Sequence, residues 1–136
     1  MTCKGSLLCL AVLWAVTAGC RSEGVVGGTT GRLLSEGKPI EGVRLSIYQN
    51  ESGHHKLLGF AVSQLDGSFR LYQEGATGPL WLSPGEYSVT LESEGTTVRE
   101  WPKEFSDPVK TPLKINWSGT EKSLELEIPP ARIRYQ

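Results

Sequence analysis

The histidines are the side chains in this sequence best suited to acid–base or metal chemistry, and both lie together as His54 and His55. Neighbouring side chains on an extended chain point to opposite sides, so the pair would seldom hold one metal ion together. A tetrahedral zinc site needs further His or Cys ligands, and the sequence offers no second pair. The polar, glycine-containing stretch NESGHHK therefore predicts a solvated loop without a metal.

Nucleophilic catalysis has little support in the residue types. No Gly-x-Ser-x-Gly element is present, and Cys20 is the only cysteine beyond Cys9. Glu125 and Glu127 share one face of a strand by their spacing, but a chain with 15 acidic residues contains such pairs by chance. The sequence predicts no catalytic residues and no cofactor, and a small hydrolase stays a remote alternative.

Tryptophans offer a different chemistry, because an exposed indole stacks on sugar rings or anchors a protein interface. Trp101 stands directly before Pro102 at the start of a long loop and is the strongest candidate for an exposed contact, with cover of the core as its alternative role. Trp81, in another loop, is the second candidate, with a hydrophobic plug as its alternative role. Trp117 has the spacing of a core residue. A sugar site would require Trp81 and Trp101 on a common surface.

The N-terminal segment predicts export. Residues 7–16 are an apolar run of ten, which is shorter than the roughly 20 residues that cross a bilayer. Lys4 precedes this run and small residues follow it, which is the pattern of a secretory signal peptide. The ending Thr-Ala-Gly-Cys at 17–20 resembles the lipobox of bacterial lipoproteins, although the family usually has Leu where Thr17 stands.

The lipobox resemblance implies a lipid anchor. In that family the cysteine thiol carries diacylglycerol, so Cys20 would be the lipidated, palmitate-bearing first residue after removal of a signal peptide at 1–19. Residues 20–24 would then form the lipidated cysteine and a short tether, with the chain exported and attached to the cell membrane or outer membrane. A conventional cleavage site, with Cys20 unmodified, is the alternative.

Cysteine and charge counts agree with that assignment. The 116 residues after Cys20 contain no cysteine, so a disulfide within the mature chain is excluded, and acylation explains the lone exported thiol. Lys4 is the only charge before Cys20, which leaves 13 basic and 15 acidic residues, a net charge of −2, from Cys20 onward. That balance predicts an ordinary solvated surface and no nucleic-acid partner.

From Val25 onward the apolar residues recur with period two, which is typical of strands with one buried face. The inward positions on four segments are Val43, Leu45 and Ile47; Tyr87, Val89 and Leu91; Leu113, Ile115 and Trp117; and Leu124, Leu126 and Ile128. In a fifth segment, KLLGFAVS, the more apolar face is Leu58, Phe60 and Val62. This pattern predicts an all-β antiparallel sandwich or barrel.

Turn residues divide these strands. Gly37-Lys38-Pro39 predicts a turn before the second strand, and Asp66-Gly67 predicts a tight hairpin between GFAVS and SFRLYQ. Residues 74–83 and 102–112 are expected to be long loops. The segment 130–136 is expected to be a frayed C-terminal tail.

The order of these motifs resembles the carboxypeptidase regulatory-like family. The matching positions are Gly37, Lys38, Pro39, Ile40, Gly42 and Val43; Gly67 and Phe69; and Pro84, Gly85, Tyr87 and Val89. WPKEFSDPVKTPLKI is also similar to a segment of small planctomycete-type lipoproteins. The resemblance implies a transthyretin-like, seven-stranded antiparallel Greek-key β-sandwich over 25–129. Ser63-Gln64 replaces the family's Thr-Asp pair, which argues against a calcium site in that loop.

Together these features predict a lipid-anchored, non-catalytic β-sandwich of the cell envelope that acts as a structural or protein-interaction module. Its partners would be the membrane, through acylated Cys20, and an envelope protein or polysaccharide. A carbohydrate-binding accessory lipoprotein is the second hypothesis. The hydrolase alternative is weaker because the chain ends ARIRYQ and lacks the terminal signature of the hydroxyisourate hydrolases, the enzyme branch of the transthyretin-like group.

Overall fold

The structure, a computed structural model, describes residues 27–134, and Cys20 with the predicted signal peptide and tether lies outside them. The described chain is mostly β-strand. Its strands are β1 (Thr30–Ser35), β2 (Lys38–Pro39), β3 (Val43–Glu51), β4 (His54–Val62), β5 (Ser68–Arg70), β6 (Tyr72–Gln73), β7 (Gly85–Ser93), β8 (Val98–Glu100), β9 (Lys114–Trp117), β10 (Leu124–Glu127) and β11 (Arg132–Arg134). Short 3₁₀ segments occupy Glu74–Ala76 and Lys103–Ser106. No helix within 27–134 has the length and apolar character needed to span a bilayer.

Three sheets are formed by these strands. The largest has the order β6-β4-β3-β7-β9 and is antiparallel throughout. In the second, β1 lies between β10 on one side and β2 and β5 on the other. A third, two-stranded sheet pairs β8 with β11. The predicted all-β class with antiparallel sheets is confirmed, with one exception: β1 and β10 run parallel.

One hydrophobic cluster receives side chains from both larger sheets. The smaller of the two contributes Leu33, Phe69, Leu124 and Leu126, and the five-stranded sheet contributes Leu45, Ile47, Ala61, Val89, Leu91 and Ile115 among others. The predicted inward residues of β3, β7, β9 and β10 are buried, and in β7 the intervening Ser88 and Thr90 are buried as well. This two-sheet core is compatible with a β-sandwich, and it brings both ends of β7 to the edges of the core.

The inward face predicted for β4 is wrong. Gly59 and Ala61 are the buried residues of this strand, while Phe60 is half-buried on the outer side. Phe60 is covered there by the Arg44 guanidinium, 4.2 Å from the ring centre, and by the Tyr72 ring at 5.9 Å. Alternation of hydrophobicity selects the face with the larger residues, but Phe60 is sheltered outside the core by cation–π and aromatic contacts, and only Leu58 of the predicted face packs against the core.

The predicted hairpin at Asp66-Gly67 is also different in the structure. A tight turn is present, since the N–H of Gly67 donates to the Gln64 carbonyl at 2.8 Å. Its flanking strands belong to different sheets, however, because β4 pairs with β3 and β6 while β5 pairs with β1. The turn is therefore a crossover between sheets. Asp66 stabilises it by accepting hydrogen bonds from the N–H and hydroxyl of Ser68.

The two histidines lie in a strand and not in the predicted loop. His54 and His55 open β4, opposite Glu51 and Asn50 of β3. Ser52-Gly53 forms the connecting turn, with φ angles of 46° and 81°. Positive φ at both central residues is the geometry of a type I′ hairpin, whose twist matches that of the strands.

The C-terminal segment is ordered where a frayed tail is expected. Arg132–Arg134 forms β11 and pairs with β8, residue Ile133 opposite Arg99. An ion pair between Arg134 and Glu100 adds to this ladder.

The predicted turn at Gly37 is shifted by one residue, because Glu36 and Gly37 are its central residues and Lys38–Pro39 already pairs with β1.

Candidate functional site

Trp117 is part of the core, as its spacing predicts. Only 7% of its surface is exposed, and its indole N–H donates to the Leu82 carbonyl at 3.1 Å. A buried indole usually finds such a partner. Trp117 thereby fixes one end of the loop that precedes β7, and this is the loop that carries Trp81.

Trp81 is the exposed tryptophan, with 66% of its surface accessible. Its loop is held from both sides, since the Leu82 N–H donates to Thr29 Oγ1 at 3.0 Å and the Thr29 N–H donates to the Leu80 carbonyl at 2.9 Å. The side chain of Leu82 is buried while that of Trp81 projects outward. These two hydrogen bonds therefore hold the backbone of the loop in place, and the Trp81 indole is exposed on it.

The chain enters the described fold directly beside this indole. A Cβ on Gly27 would lie 3.1 Å from Cζ2 of Trp81, so the backbone there passes against the ring. At Gly28, with φ of 98°, a Cβ would come within 2.5 Å of the Leu71 carbonyl oxygen. Such an approach admits only glycine. Gly27 is therefore in close contact with the Trp81 ring, and Gly28 with the backbone of Leu71.

A cleft of about 580 Å³ opens beside Trp81. Its lining includes Trp117 and three charged residues, Arg70, Glu121 and Lys122. The Glu121 carboxylate accepts hydrogen bonds from the N–H groups of Ser118 and Gly119, at 3.1 to 3.2 Å. Hydrogen bonding by Ser118, followed by the backbone of this turn, lowers the pKa of Glu121. Glu121 thus stabilises its own turn.

Arg70 and Lys122 are the charged groups that give this cleft its character. Within residues 27–134, neither side chain makes a hydrogen bond or an ion pair to another residue, and Lys122 is exposed. The cleft therefore combines an exposed indole with two cationic side chains and the Glu121 carboxylate. Protein-family, curated-protein and solved-structure comparisons each return no match for the chain.

Sequence reasoning does not identify Arg70 or Lys122. They are contributed by β5 and by the turn before β10, segments separated by about 50 residues in the sequence. No local spacing links them to each other or to Trp81. A basic residue at the end of the SFR strand and another in a polar turn have no distinguishing feature in the sequence, because only the arrangement of the sheets brings them together.

Trp101, the stronger sequence candidate, is half-buried. Its indole packs against the hydrophobic core, and its N–H donates to the Pro129 carbonyl at 3.1 Å. A second cleft of about 410 Å³ lies beside it, lined by Glu92, Arg99 and the buried Phe105. The hydrogen bond uses the only polar atom of the indole, so Trp101 serves mainly to cover this edge of the core.

The two candidate tryptophans do not share a surface. Trp81 borders a cleft with Trp117, which is paired with Gly85 at the start of β7. Trp101 borders a cleft with Leu91 and other residues at the end of β7. Nine residues in a strand extend over about 26 Å from first to last. The common aromatic platform expected for a sugar site that uses both rings is therefore not formed.

A serine–lysine pair lies on the outer face of the five-stranded sheet. Lys114 Nζ donates to Ser88 Oγ at 2.9 Å, and Ser88 Oγ donates to Asn50 Oδ1 at 3.1 Å. Such pairs activate serine in some hydrolases. Here, however, Ser88 has no exposed surface, and its hydroxyl links β7 to β3 and β9. The arrangement is a cross-strand hydrogen-bond chain.

The histidines are separated by the alternation of β4. His54 is exposed and His55 is half-buried, with a buried Nδ1 that has no hydrogen-bond partner in the described part of the chain. Within residues 27–134, no three His, Cys, Asp or Glu side chains come together as a metal-binding group.

Ser63 stands at the position where the resembled family has Thr. Its hydroxyl accepts a hydrogen bond from the N–H of Val43 at 3.0 Å and so stabilises the start of β3.

Proposed function

We propose that this protein is a lipid-anchored, non-catalytic module of the cell envelope, attached through acylated Cys20 and acting by structural or protein contacts. The observation that carries the proposal is the short interval between Cys20 and the folded unit. The first described residue, Gly27, follows Cys20 by seven positions and leads directly to β1 at Thr30. Seven residues extend over at most about 25 Å, so an acyl anchor at Cys20 would keep the domain next to a membrane.

The fold assignment in this proposal is a seven-stranded, transthyretin-like Greek-key sandwich of the carboxypeptidase regulatory-like type. The two larger sheets and their shared core support a sandwich. Gly67 supports the family motif, because its φ of 78° and its close approach to the Leu33 carbonyl require glycine. A rigid framework of this kind suits a module that displays loops at its two ends.

The side-chain chemistry also supports a binding or structural role. The buried polar side chains of Thr29, Ser63, Ser88 and Thr111 are hydrogen-bonded to neighbouring backbone or side-chain groups. Asp66 and Glu121 accept hydrogen bonds within their own turns. These groups stabilise the fold, and contacts with a partner would be made by exposed loop residues.

Metabolic labelling with an alkyne analogue of palmitate tests the anchor. The native chain should incorporate the label and sediment with membranes, whereas Cys20→Ser should lose the label and become soluble. Cys9→Ser is the matched control, because it removes a thiol from the predicted signal peptide and should leave labelling unchanged. Undiminished labelling or membrane attachment of Cys20→Ser would contradict the proposal.

In-cell crosslinking of the native chain, with Cys20→Ser in parallel, addresses the interaction. We expect the native chain to capture a reproducible envelope protein and the serine variant to lose it. Enrichment of cell-wall or capsular sugar with no protein would instead favour the carbohydrate-binding alternative. That second candidate is supported by the exposed ring of Trp81 alone, since Trp101 is half-buried at the other end of β7.

A further inference from the structure

The exposed indole of Trp81 and the arriving chain lie at the same end of the domain. Gly27 passes against the Trp81 ring, and only seven residues separate Gly27 from Cys20. The opposite end, where β3 begins beside Ser63, lies about 26 Å away along the nine residues of β3. Leu65, another large exposed apolar residue, belongs to that distant end. Within residues 27–134 the large exposed apolar side chains are Leu65, Trp81, Val109 and Ile133, and Trp81 is the one that lies against Gly27.

We propose that the Trp81 end of the domain rests on the phospholipid surface, with the indole in the membrane interface and Arg70 and Lys122 against anionic headgroups. This inference rests on the proposed attachment through Cys20. Contact with the bilayer would orient the domain. The start of β3 and the end of β4, beside Ser63 and Leu65, would then face away from the membrane.

The chemistry of the cleft matches a lipid interface. Tryptophan is enriched at membrane surfaces because its ring is apolar and its N–H remains able to meet water. Lysine and arginine beside such a ring attract anionic lipid, and long basic side chains place their charge among the headgroups. Trp81, Arg70 and Lys122 line one cleft and supply both components.

A sugar ligand fits the same cleft less well. Sugar hydroxyls are best bound by paired donors and acceptors, and carboxylates are strong acceptors. The carboxylate in this cleft, Glu121, already accepts hydrogen bonds from the N–H groups of Ser118 and Gly119. The remaining charged side chains, Arg70 and Lys122, are donors only. With two cationic side chains against one carboxylate, the balance of charge favours a phosphate-bearing surface.

The contact can be tested with a chemically attached chain. Residues 20–136 contain the whole described core and a single cysteine, Cys20, which can be coupled to a maleimide lipid. The chain would be attached to vesicles of phosphatidylcholine and phosphatidylglycerol, with and without brominated acyl chains that quench tryptophan emission. The variants are Trp81→Phe and Trp101→Phe, each checked for an unchanged circular dichroism spectrum.

We expect brominated lipid to quench the native chain and Trp101→Phe, and most of this quenching to be lost in Trp81→Phe. Arg70→Gln and Lys122→Gln should weaken the quenching at low salt, while Lys38→Gln, in β2 at the opposite end, should not. Equal quenching of the native chain and Trp81→Phe would overturn the proposal. A Trp81 emission change with soluble peptidoglycan fragments but not with brominated lipid would also overturn it, in favour of a sugar site.

The design separates this inference from the proposed function. Chemical coupling replaces acylation in the cell, so loss of palmitate labelling would contradict the anchor while leaving the vesicle measurement valid. Conversely, labelling of Cys20 in cells together with no Trp81-dependent quenching would support the anchor and overturn the lipid contact.

Discussion

Trp81 and Trp101 begin with similar sequence surroundings, each in a loop and next to apolar or proline residues, but the fold uses them differently. Trp101 packs on the core and donates its N–H to Pro129, whereas Trp81 leaves two thirds of its ring in solvent. The loop that carries Trp81 is held by neighbours, Thr29 and Trp117, so the ring itself contributes little to the fold. Whether an indole stabilises the domain or is available for contact therefore depends on which other groups hold the surrounding backbone.

The largest expected contrast is in stability. Trp101→Ala should lower the free energy of unfolding by about 2 kcal/mol, since it uncovers part of the core and leaves the Pro129 carbonyl unpaired. Trp81→Ala should change it by no more than about 0.5 kcal/mol, as for most surface substitutions. Urea unfolding followed by circular dichroism measures both. Equal losses would show that the Trp81 ring also supports its loop.

A second contrast concerns the loop beneath Trp81, where the Tyr87 hydroxyl donates to the Ser83 carbonyl. Burial raises the pKa of Tyr87 above its ordinary value of 10.0. The native state therefore holds the phenolic proton more tightly than the unfolded chain does. This contribution to stability is fully present below pH 10 and declines as the pH rises through the raised pKa.

Tyr87→Phe should lower the free energy of unfolding by about 1 kcal/mol at neutral pH and flatten its decline above pH 10. Tyr72→Phe, in β6 at the edge of the five-stranded sheet, is the matched control, because the Tyr72 hydroxyl makes no hydrogen bond within residues 27–134. Thermal unfolding across the alkaline range provides the measurement. Equal alkaline slopes for the native chain and Tyr87→Phe would contradict the assignment.

The smallest expected effect is local to the two-stranded sheet near Trp101. Ile133→Pro removes a ladder N–H opposite Arg99 and should release β11, with a change in global stability of less than about 1 kcal/mol because all of β11 is exposed. Hydrogen exchange should show faster exchange at Val98–Glu100. Ile133→Val keeps the ladder and serves as the control. A large global loss would mean that β11 also supports Trp101.

The sequence predicts the strand faces well where one residue type dominates each side. In β3 and β10 the alternation of large aliphatic and polar residues leaves a single choice, and the buried residues follow it. In β4 both faces are apolar, and Arg44 and Tyr72, which shelter Phe60, come from other strands. Tertiary contacts of this kind have no local signature, so the face of β4 is not predictable by alternation.

The candidate site is predictable only in part. A tryptophan in a loop is easily recognised in the sequence. The exposure of its ring, however, depends on which residues elsewhere in the fold hydrogen-bond to the backbone of that loop. Asp66-Gly67 shows the same limit, since turn chemistry specifies the bend and not the sheet that receives the next strand. Arg70 and Lys122 join Trp81 only through the arrangement of β5 and the β9–β10 turn.

The parallel pairing of β1 with β10 has a consequence for how the chain matures. Gly31 is the register partner of Leu124, so the first strand of the described fold is completed by one that lies more than ninety residues later. Contacts of such sequence separation form late and slow the acquisition of structure. If the chain is exported N-terminus first, as proposed, the side of β1 that pairs with β10 would stay unpaired until nearly all of the polypeptide had crossed, so that this sheet would be completed only on the far side of the membrane.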